Sequence, residues 1–303
     1  MQGLRLGTRG SPLALAQARK VAAAIETAQR WPDGWVQIVE IKTTGDKVQD
    51  RPLAEIGGKA LWTKELDAAL TEGRVDFCVH SMKDVESVRP EGIHIAAVRP
   101  RGDVRDRIIG AESIDKLKQG AVVGTSSPRR AAQLLRLRPD LKIVPIRGNV
   151  ETRLRKAESG EVDATLLALA GLKRLGLQDR ATAILSTRDF LPAPAQGAIG
   201  IMVRADDRST HDCVGPILHE PTSLAVAAER AFLSALDGSC RTSIACLAEI
   251  ANRQLSLRGT VLRPDGSEAF DVQRSGPAAE AGAIGKSAGE ELLTRLPAGV
   301  LAA

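Results

Sequence analysis

The chain has 303 residues, of which 43% are hydrophobic and 26% are charged, and these values are typical of globular proteins. No run approaches the roughly 18 apolar residues of a membrane span. The first residues lack the basic and apolar regions of a signal peptide, so we expect a cytoplasmic protein. The net charge is +5, and residues 103–191 alone carry +6, from 17 Lys and Arg against 11 Asp and Glu. This excess indicates an anionic ligand or merely a soluble basic domain, whereas the scarcity of aromatic residues argues against nucleic acid.

Short apolar runs alternate with helical patterns in the first third of the chain. Apolar runs at 4–7, 36–42 and 75–80 predict strands, and amphipathic patterns at 12–27 and 59–71 predict helices. This β-α-β-α-β order predicts a mostly parallel sheet with helices on both faces.

The same order starts again after a charged stretch at 99–107 and predicts a second α/β unit. Its expected strands and helices are, in chain order, 121–124, 128–137, 142–146, 151–160 and 164–168. A connector rich in Pro and Gly follows at 191–197. The remaining pattern predicts a small α+β unit whose helices and strands are 222–235, 243–250, 254–262, 268–274 and 279–296. We therefore expect a first domain at 1–98 and 199–217, a second at 103–191 and a third at 220–303.

Polar residues follow several predicted strands, at the edge where ligands bind in open α/β sheets. Two loops, Ser11-Pro12 and Ser127-Pro128, combine the free N–H groups of a helix start with a nearby arginine, as anion sites do. Each loop alone is equally compatible with an ordinary helix cap. The recurrence of such loops at one end of successive strands predicts a ligand with several carboxylates.

Asp84 and Cys240 are the residues best suited to chemistry. The pair Lys83-Asp84 follows the strand at 75–80. It is either an exposed charge pair, or Asp84 is a candidate acid and base in a cleft. Cys240 stands in a Gly-containing loop beside an arginine, which favours a reactive thiolate, although an inert cysteine remains an alternative. His80 is interpreted as structural, because no metal-binding spacing accompanies it.

Several motifs resemble those of the porphobilinogen deaminase family. They are, in chain order, Leu6-Gly-Thr-Arg-Gly-Ser-Pro-Leu-Ala-Leu15, Val79-His-Ser-Met-Lys-Asp-Val85, Val123-Gly-Thr-Ser-Ser-Pro-Arg-Arg130, Ile146-Arg-Gly-Asn-Val150 and Gly238-Ser-Cys240. The full set in this order is highly specific and spans essentially the whole chain.

The resemblance implies a three-domain α/β fold. Two domains would resemble type II periplasmic binding proteins with a cleft between them, and a small α+β domain would follow. The implied activity is the stepwise deaminating condensation of four porphobilinogen molecules on a covalently bound dipyrromethane cofactor, followed by hydrolytic release of hydroxymethylbilane. The resemblance also implies a monomer whose partner is its small-molecule substrate, with no metal, nucleic acid or membrane.

The resemblance also implies roles for individual residues. Cys240 would form a thioether to the dipyrromethane, and Asp84 would be the catalytic carboxylate with Lys83 beside it. The residues implied to bind the cofactor are Lys83, Asp84, Ser127, Arg129, Arg130, Arg147 and Gly148. The residues implied to bind the substrate and the growing chain are Arg9, Ser11, Lys59, Arg153, Arg174 and Gln196.

The chain departs from the family pattern at a few positions. Glu55 and Thr44 stand where basic residues are common, and Trp62 stands where Phe is usual. Two other classes of protein stay open on the residues alone, namely a non-enzymatic anion-binding protein and a basic nucleic-acid binder.

Because four additions must pass one site, the growing chain has to move relative to it. We therefore predict hinge motion at 97–102 and 191–198 and a mobile segment at 47–58.

Overall fold

The computed structural model describes residues 3–43, 62–180, 182–239 and 241–301. The chain divides into two compact units. Unit 1 is Met1–Gly102 with Ala198–Ser223, and unit 2 is Asp103–Gly197 with Leu224–Ala303. The chain therefore passes from one unit to the other three times. The boundaries that the sequence predicts for three domains remain a prediction.

The strands of the described residues are β1 Leu4–Thr8, β2 Val36–Glu40, β3 Phe77–Ser81, β4 Ile93–Val98, β5 Asp106–Ile109, β6 Val122–Gly124, β7 Lys142–Val144, β8 Ala164–Ala168, β9 Ala183–Ile184, β10 Ile199–Arg204, β11 Ile244–Ala251, β12 Gln254–Leu262 and β13 Ala269–Pro277. The α-helices of the described residues are α1 Pro12–Gln29, α2 Lys64–Thr71, α3 Pro128–Leu137, α4 Val150–Glu158, α5 Leu169–Arg174, α6 Arg208–Val214, α7 Glu220–Ala235 and α8 Ala281–Arg295.

Unit 1 is built on a five-stranded sheet with the order β2-β1-β3-β10-β4. β1 lies parallel to β2 and β3, whereas β10 runs antiparallel to β3 and β4. Val21 and Ile25 of α1 join Leu6, Phe77 and Ile201 in the core of this unit. Since β1 and β3 are parallel, their carboxyl ends lie at the same edge of the sheet, which is where a ligand site is expected.

The first sheet of unit 2 repeats this plan with the order β7-β6-β8-β5-β9. β6 is parallel to β7 and β8, and β5 is antiparallel to β8 and β9. Its core contains Ile108, Val123, Leu134, Leu166 and Phe190.

The remainder of unit 2 is a three-stranded antiparallel sheet, β11-β12-β13. Phe232 of α7 and Leu292 of α8 pack with Leu257 of the sheet in one apolar core. Gly259 makes room for the aromatic ring, because a Cβ at that position would lie 2.4 Å from Cζ of Phe232.

The expected α/β architecture is confirmed, but the expectation of a mostly parallel sheet is wrong. Each five-stranded sheet has two parallel and two antiparallel pairings. β10 enters its sheet only after the chain has returned from unit 2, so that Phe77 pairs with Val203. A local β-α-β pattern cannot report a partner so distant in sequence.

The predicted helices are confirmed with ends shifted by a few residues, including the Ser-Pro starts of α1 and α3. The part of the predicted helix 59–71 before residue 62 lies outside the described residues. Within the described ranges, no helix is both long and apolar enough to cross a membrane.

Candidate active site

A cavity of about 60 Å³ lies in unit 1 at the edge where β1 and β3 end. Its walls combine residues that follow these strands with residues from the start of α1. The lining residues are Arg9, Ser11, Leu13, Ala14, Gln17, Trp62, Val79, His80, Ser81 and Asp84. The cavity has room for several water molecules, and its wall carries both a guanidinium group and a carboxylate.

Asp84 ends a 3₁₀ turn, Met82–Asp84, that begins directly after β3. Met82 is 1% exposed and anchors this turn, because its N–H donates to the carbonyl of Ala198 at 3.1 Å. Its side chain fills the space beside Gly200, where a Cβ would lie 2.1 Å from Sδ of Met82. Asp84 and its neighbour Lys83 are both partly buried. A carboxylate held in this way can exchange protons and stabilise a nearby cation.

Arg9 and Ser11 occupy the same pocket wall as Asp84. The guanidinium of Arg9 stacks on the indole of Trp62, with Cζ 3.9 Å from the ring centroid. An aromatic face attracts a cation, so the stack orients Arg9. Ser11 caps α1, since its Oγ accepts a hydrogen bond from the N–H of Ala14 at 3.3 Å.

His80 also lines this pocket, although the sequence interpretation makes it purely structural. The residue is 6% exposed, and its Nε2 has no hydrogen-bond partner among the described residues. Burial, assisted by the positive charges of Arg89 and Arg9, lowers the pKa of His80 to about 3. The imidazole is therefore neutral at physiological pH.

In unit 2, Arg129 and Arg130 lie in the first turn of α3 and are both buried. Both guanidinium groups bind the carboxylate of Asp106, Arg129 through Nη2 at 2.8 Å and Arg130 through Nη2 at 2.7 Å. They also donate to the carbonyls of Leu191 at 2.7 Å and Leu166 at 2.9 Å. These contacts fix the orientation of both arginines within unit 2.

The group formed by Asp106, Arg129 and Arg130 carries a net positive charge. Burial raises the pKa of Asp106, but the attraction of Arg130 and Arg129 outweighs it and holds the pKa well below its usual range. One carboxylate therefore serves two guanidinium groups, and Nε of Arg129 is buried without a hydrogen-bond partner in the described part of the chain. Because buried excess charge is costly unless an opposite charge compensates it, this group fits a ligand carboxylate.

The loop Arg147-Gly148-Asn149 precedes α4. Gly148 has a φ of 108°, and a Cβ there would lie 2.5 Å from Cγ2 of Thr152, so the turn requires glycine. The carbonyl of Gly148 accepts a hydrogen bond from Nε of Arg153 at 3.0 Å. Nη1 of Arg147 is buried and has no partner within the described ranges. The guanidinium groups of Arg147, in the loop, and of Arg153, in α4, therefore both lie beside this turn.

Arg174 contacts the connector 191–197, and Gln196 is part of it. Nη2 of Arg174 donates to the carbonyl of Gly197 at 2.5 Å, and burial lowers the pKa of Arg174 to about 10. Gln196 is 1% exposed, and its Nε2 donates to the carbonyl of Val104 at 2.7 Å and to Oδ1 of Asp106 at 3.0 Å. Gln196 therefore joins the buried group around Asp106.

The structure brings the predicted site residues together in groups within each unit. The pocket of unit 1 holds Arg9, Ser11 and Asp84, with Lys83 on the adjoining turn. In unit 2, Arg129, Arg130 and Gln196 surround Asp106, Ser127 caps α3, and Arg153 of α4 contacts the loop that holds Arg147 and Gly148. Lys59, Cys240 and the predicted mobile segment 47–58 lie outside the described residues.

Sequence patterns do not indicate Asp106, and they mark Trp62 only as a departure from the family pattern. Asp106 falls in the charged stretch 99–107, which the pattern marks as a boundary, and it opens the strand β5. An acidic residue two positions before the apolar pair Ile108-Ile109, in a domain with surplus arginine, is the signal that could have found it.

Two family models match nearly the whole chain. Residues 4–212 match "Porphobilinogen deaminase, dipyromethane cofactor binding domain", and residues 223–294 match "Porphobilinogen deaminase, C-terminal domain". The porphobilinogen deaminase of Paracoccus denitrificans (strain Pd 1222) is 52% identical over 297 residues, which are 97% of this chain and 95% of the relative. That of Nitrobacter hamburgensis is 51% identical and covers 96% of this chain and 92% of the relative.

Solved structures with partial similarity include periplasmic proteins. A periplasmic substrate-binding protein of an ABC transporter from Coxiella burnetii has a TM-score of 0.44 and 19% identity, covering 75% of this chain and 96% of that chain. A periplasmic sulfonate-binding protein from Methylobacillus flagellatus KT has a TM-score of 0.40 and 15% identity, covering 78% and 68%.

The fold and the matched cofactor domain together define an α/β transferase that works with a dipyrromethane cofactor. More narrowly, the chain belongs to the porphobilinogen deaminase family, whose members are also called hydroxymethylbilane synthases.

Proposed function

We propose that this chain joins four porphobilinogen molecules one after another on a bound dipyrromethane primer and then releases hydroxymethylbilane by hydrolysis. The observation that carries the proposal is the partly buried carboxylate of Asp84, which shares one pocket with the guanidinium of Arg9 in a chain of this family. The pocket supplies both a group that handles protons and a group that binds a substrate carboxylate.

We propose that the cofactor is attached to the thiol of Cys240 through a thioether. When bound, the dipyrromethane supplies the free pyrrole carbon to which the first substrate unit is joined. The described residues of unit 2 fit a ligand with several acid groups, because the group around Asp106 has surplus positive charge and Arg147 has an unpartnered buried donor. The residues that would hold its acid groups and ring nitrogens are Lys83, Asp84, Ser127, Arg129, Arg130, Arg147 and Gly148.

The chemistry assigned to Asp84 follows from the substrate. Porphobilinogen must lose ammonia before its carbon can form a new bond, and this loss leaves an electron-poor, cationic ring. The carboxylate of Asp84 assists protonation of the leaving amine, accepts a hydrogen bond from the pyrrole N–H of the cationic ring, and takes up the final proton. Because His80 is neutral, it adds no positive charge to the pocket wall that faces this cation.

The arginines are assigned to positioning of the acid side chains. We propose that Arg9 and Ser11 bind the acetate and propionate groups of the incoming substrate in the pocket of unit 1. The further residues proposed to bind the substrate and the growing chain are Lys59, Arg153, Arg174 and Gln196. Burial lowers the pKa of Arg174, so its charge is suited to a carboxylate that is itself shielded from water.

The test is Asp84→Asn, analysed by intact-protein mass and by the rate of porphobilinogen consumption. The variant keeps the shape of the side chain, so it should retain a two-pyrrole mass adduct and lose turnover by about 100-fold or more. Cys240→Ser is the matched control, and it should lack the adduct. Near-normal turnover in Asp84→Asn would remove Asp84 from the mechanism, and active wild-type protein without an adduct would contradict the whole proposal.

We further propose that the enzyme works as a monomer in the cytoplasm. Cys78 and Cys213 are free thiols, as is usual in a reducing compartment. Light scattering of the purified holoenzyme should give the mass of one chain at all concentrations, and cell fractionation should place the enzyme in the cytosolic fraction. A dimer that forms with rising concentration would contradict the monomer.

A further inference from the structure

A hydrogen bond joins two parts of the chain that line the pocket. Trp62 directly precedes Thr63, and Asp84 stands two residues before Glu86. Oγ1 of Thr63 donates to Oε2 of Glu86 at 2.9 Å. The contact therefore links the segment that carries the aromatic wall of the pocket to the segment that carries the carboxylate.

Arg89 extends this link to helix α2. Its Nη1 donates to Oε2 of Glu86 at 3.1 Å, and its Nη2 forms an ion pair with Asp67 of α2. We refer to Thr63, Asp67, Glu86 and Arg89 as the Arg89 cluster. The side chains of Arg89 and Asp67 are 8% and 9% exposed and Thr63 is fully buried, whereas the side chain of Glu86 is 24% exposed, so water reaches the cluster mainly at Glu86.

The charges of the Arg89 cluster restrict the positions that its side chains can take. Burial raises the pKa of Asp67, whereas the attraction of Arg89 opposes this rise. Each buried charge is stable only while its partner stays in place, because loss of one partner leaves the other uncompensated. The cluster therefore favours one arrangement of the two segments over others.

We propose that the Arg89 cluster positions Trp62 and Asp84 relative to each other in the pocket wall. The members of the cluster do not themselves line the pocket, whereas Trp62 and Asp84, which stand close to Thr63 and Glu86 in sequence, do. The members are therefore positioning residues. The effect on rate rests on the proposed function, because the substrate ring is taken to react in this pocket. A displacement of about 1 Å at a reacting group can cost on the order of 100-fold in rate, so a small change in the cluster should be measurable.

The main test is Thr63→Val in the holoenzyme, with Thr71→Val as the matched control. Thr71 lies at the other end of α2, and its hydroxyl donates to the carbonyl of Asp67 at 2.9 Å. Thr63→Val should lower kcat by about 10- to 100-fold with a smaller change in KM. Thr71→Val should leave both constants within about twofold, because its hydroxyl contacts neither pocket segment.

Fluorescence gives a readout that does not depend on activity. The chain has three tryptophans, so Trp31→Phe with Trp35→Phe leaves Trp62 as the sole emitter. In this background, Thr63→Val should shift the emission of Trp62 and its quenching by acrylamide, whereas Thr71→Val should not. Glu86→Gln, which keeps an oxygen acceptor for Thr63, should retain more of kcat than Glu86→Ala.

One combination of results would contradict the proposal. Thr63→Val with wild-type kcat and wild-type Trp62 emission, but a lower midpoint of unfolding, would overturn the proposal and reduce the cluster to a contributor to stability. Wild-type holoenzyme that consumes no porphobilinogen would instead overturn the proposed function, and the Trp62 emission would still decide whether the cluster positions the pocket wall.

Discussion

Asp106 supplies the carboxylate that both arginines at the start of α3 bind. Its carboxylate has no exposed surface and binds Arg129, Arg130 and Gln196. Asp106→Asn should lower the free energy of unfolding by about 3–5 kcal/mol, because two buried guanidinium groups lose their counter-ion. Urea unfolding measures this change.

Glu72→Gln is the control for Asp106→Asn. It breaks the ion pair of Glu72 with Arg74, 2.7 Å between Arg74 Nε and Oε2, whose side chains are 59% and 53% exposed, and exposed pairs contribute little. Equal losses in the two variants would contradict the importance assigned to the buried position.

His80 should make stability depend on pH below the ordinary histidine range. Burial lowers its pKa in the folded state to about 3, whereas in the unfolded chain it is about 6.5. The unfolded state therefore binds one more proton between these values, and stability is lost as pH falls, by up to about 1.4 kcal/mol per pH unit. Urea unfolding of wild type and His80→Asn between pH 7 and 4.5 measures this contribution, and parallel curves would contradict it.

Residue types at strand ends and helix starts pointed to residues that line the pocket of unit 1 and that open α3. The Ser-Pro starts, the arginines of α3 and Asp84 follow from local sequence and from the family resemblance. The burial of Arg129 and Arg130 does not, because it depends on Asp106, and Asp106 belongs to a strand whose partners come from distant parts of the chain.

At the scale of elements, the turn that carries Asp84 depends on the strand β10. Gly200→Ala should cost about 1–3 kcal/mol of stability, because the added Cβ meets the buried side chain of Met82. It should also lower turnover, since the turn Met82–Asp84 must shift. Thermal unfolding and the rate of porphobilinogen consumption measure the two effects.

Gly282→Ala is the matched control for Gly200→Ala. Gly282 lies in α8, and a Cβ there meets no atom within 4 Å, so alanine should be neutral or slightly stabilising. If Gly200→Ala behaves like this control, Met82 does not hold the turn in place.

The short helices α5 and α6, of six and seven residues, were not predicted. The helices α1 to α4, α7 and α8 were predictable because their periodicity is local, and the same holds for β1, β3 and β8. The strands β4 and β10 were not, because β4 pairs only with β10 among the described residues, and β10 arrives after all of Asp103–Gly197. No pattern within one window of sequence contains that information.

At the scale of the whole molecule, hydrogen bonds hold the connector 191–197 to the rest of unit 2. The N–H of Leu191 donates to Gln133 at 2.8 Å, and the N–H of Ala195 donates to the buried carboxylate of Glu229 at 2.5 Å. Within the predicted hinge 191–198, we therefore expect the change in backbone angles to concentrate at its last residues, near Gly197.

Hinge motion should be visible in solution as the tetrapyrrole grows. Small-angle X-ray scattering of the holoenzyme, loaded with one to four substrate units, should show a profile that changes between stages, because the growing chain has to move past one fixed carboxylate. Profiles that superimpose at all stages would contradict the predicted motion.

The position of β10 between β3 and β4 in the first sheet also affects folding during synthesis on the ribosome. Translation proceeds at about 5–20 residues per second, so roughly 5–20 s pass between the emergence of Val98 and that of Ile199. During this interval β3 lacks one neighbour and β4 has none to pair with. The nascent amino-terminal segment must therefore wait, with unpaired strand edges, for a portion of polypeptide made much later, and this is the period in which a chaperone would protect it from aggregation.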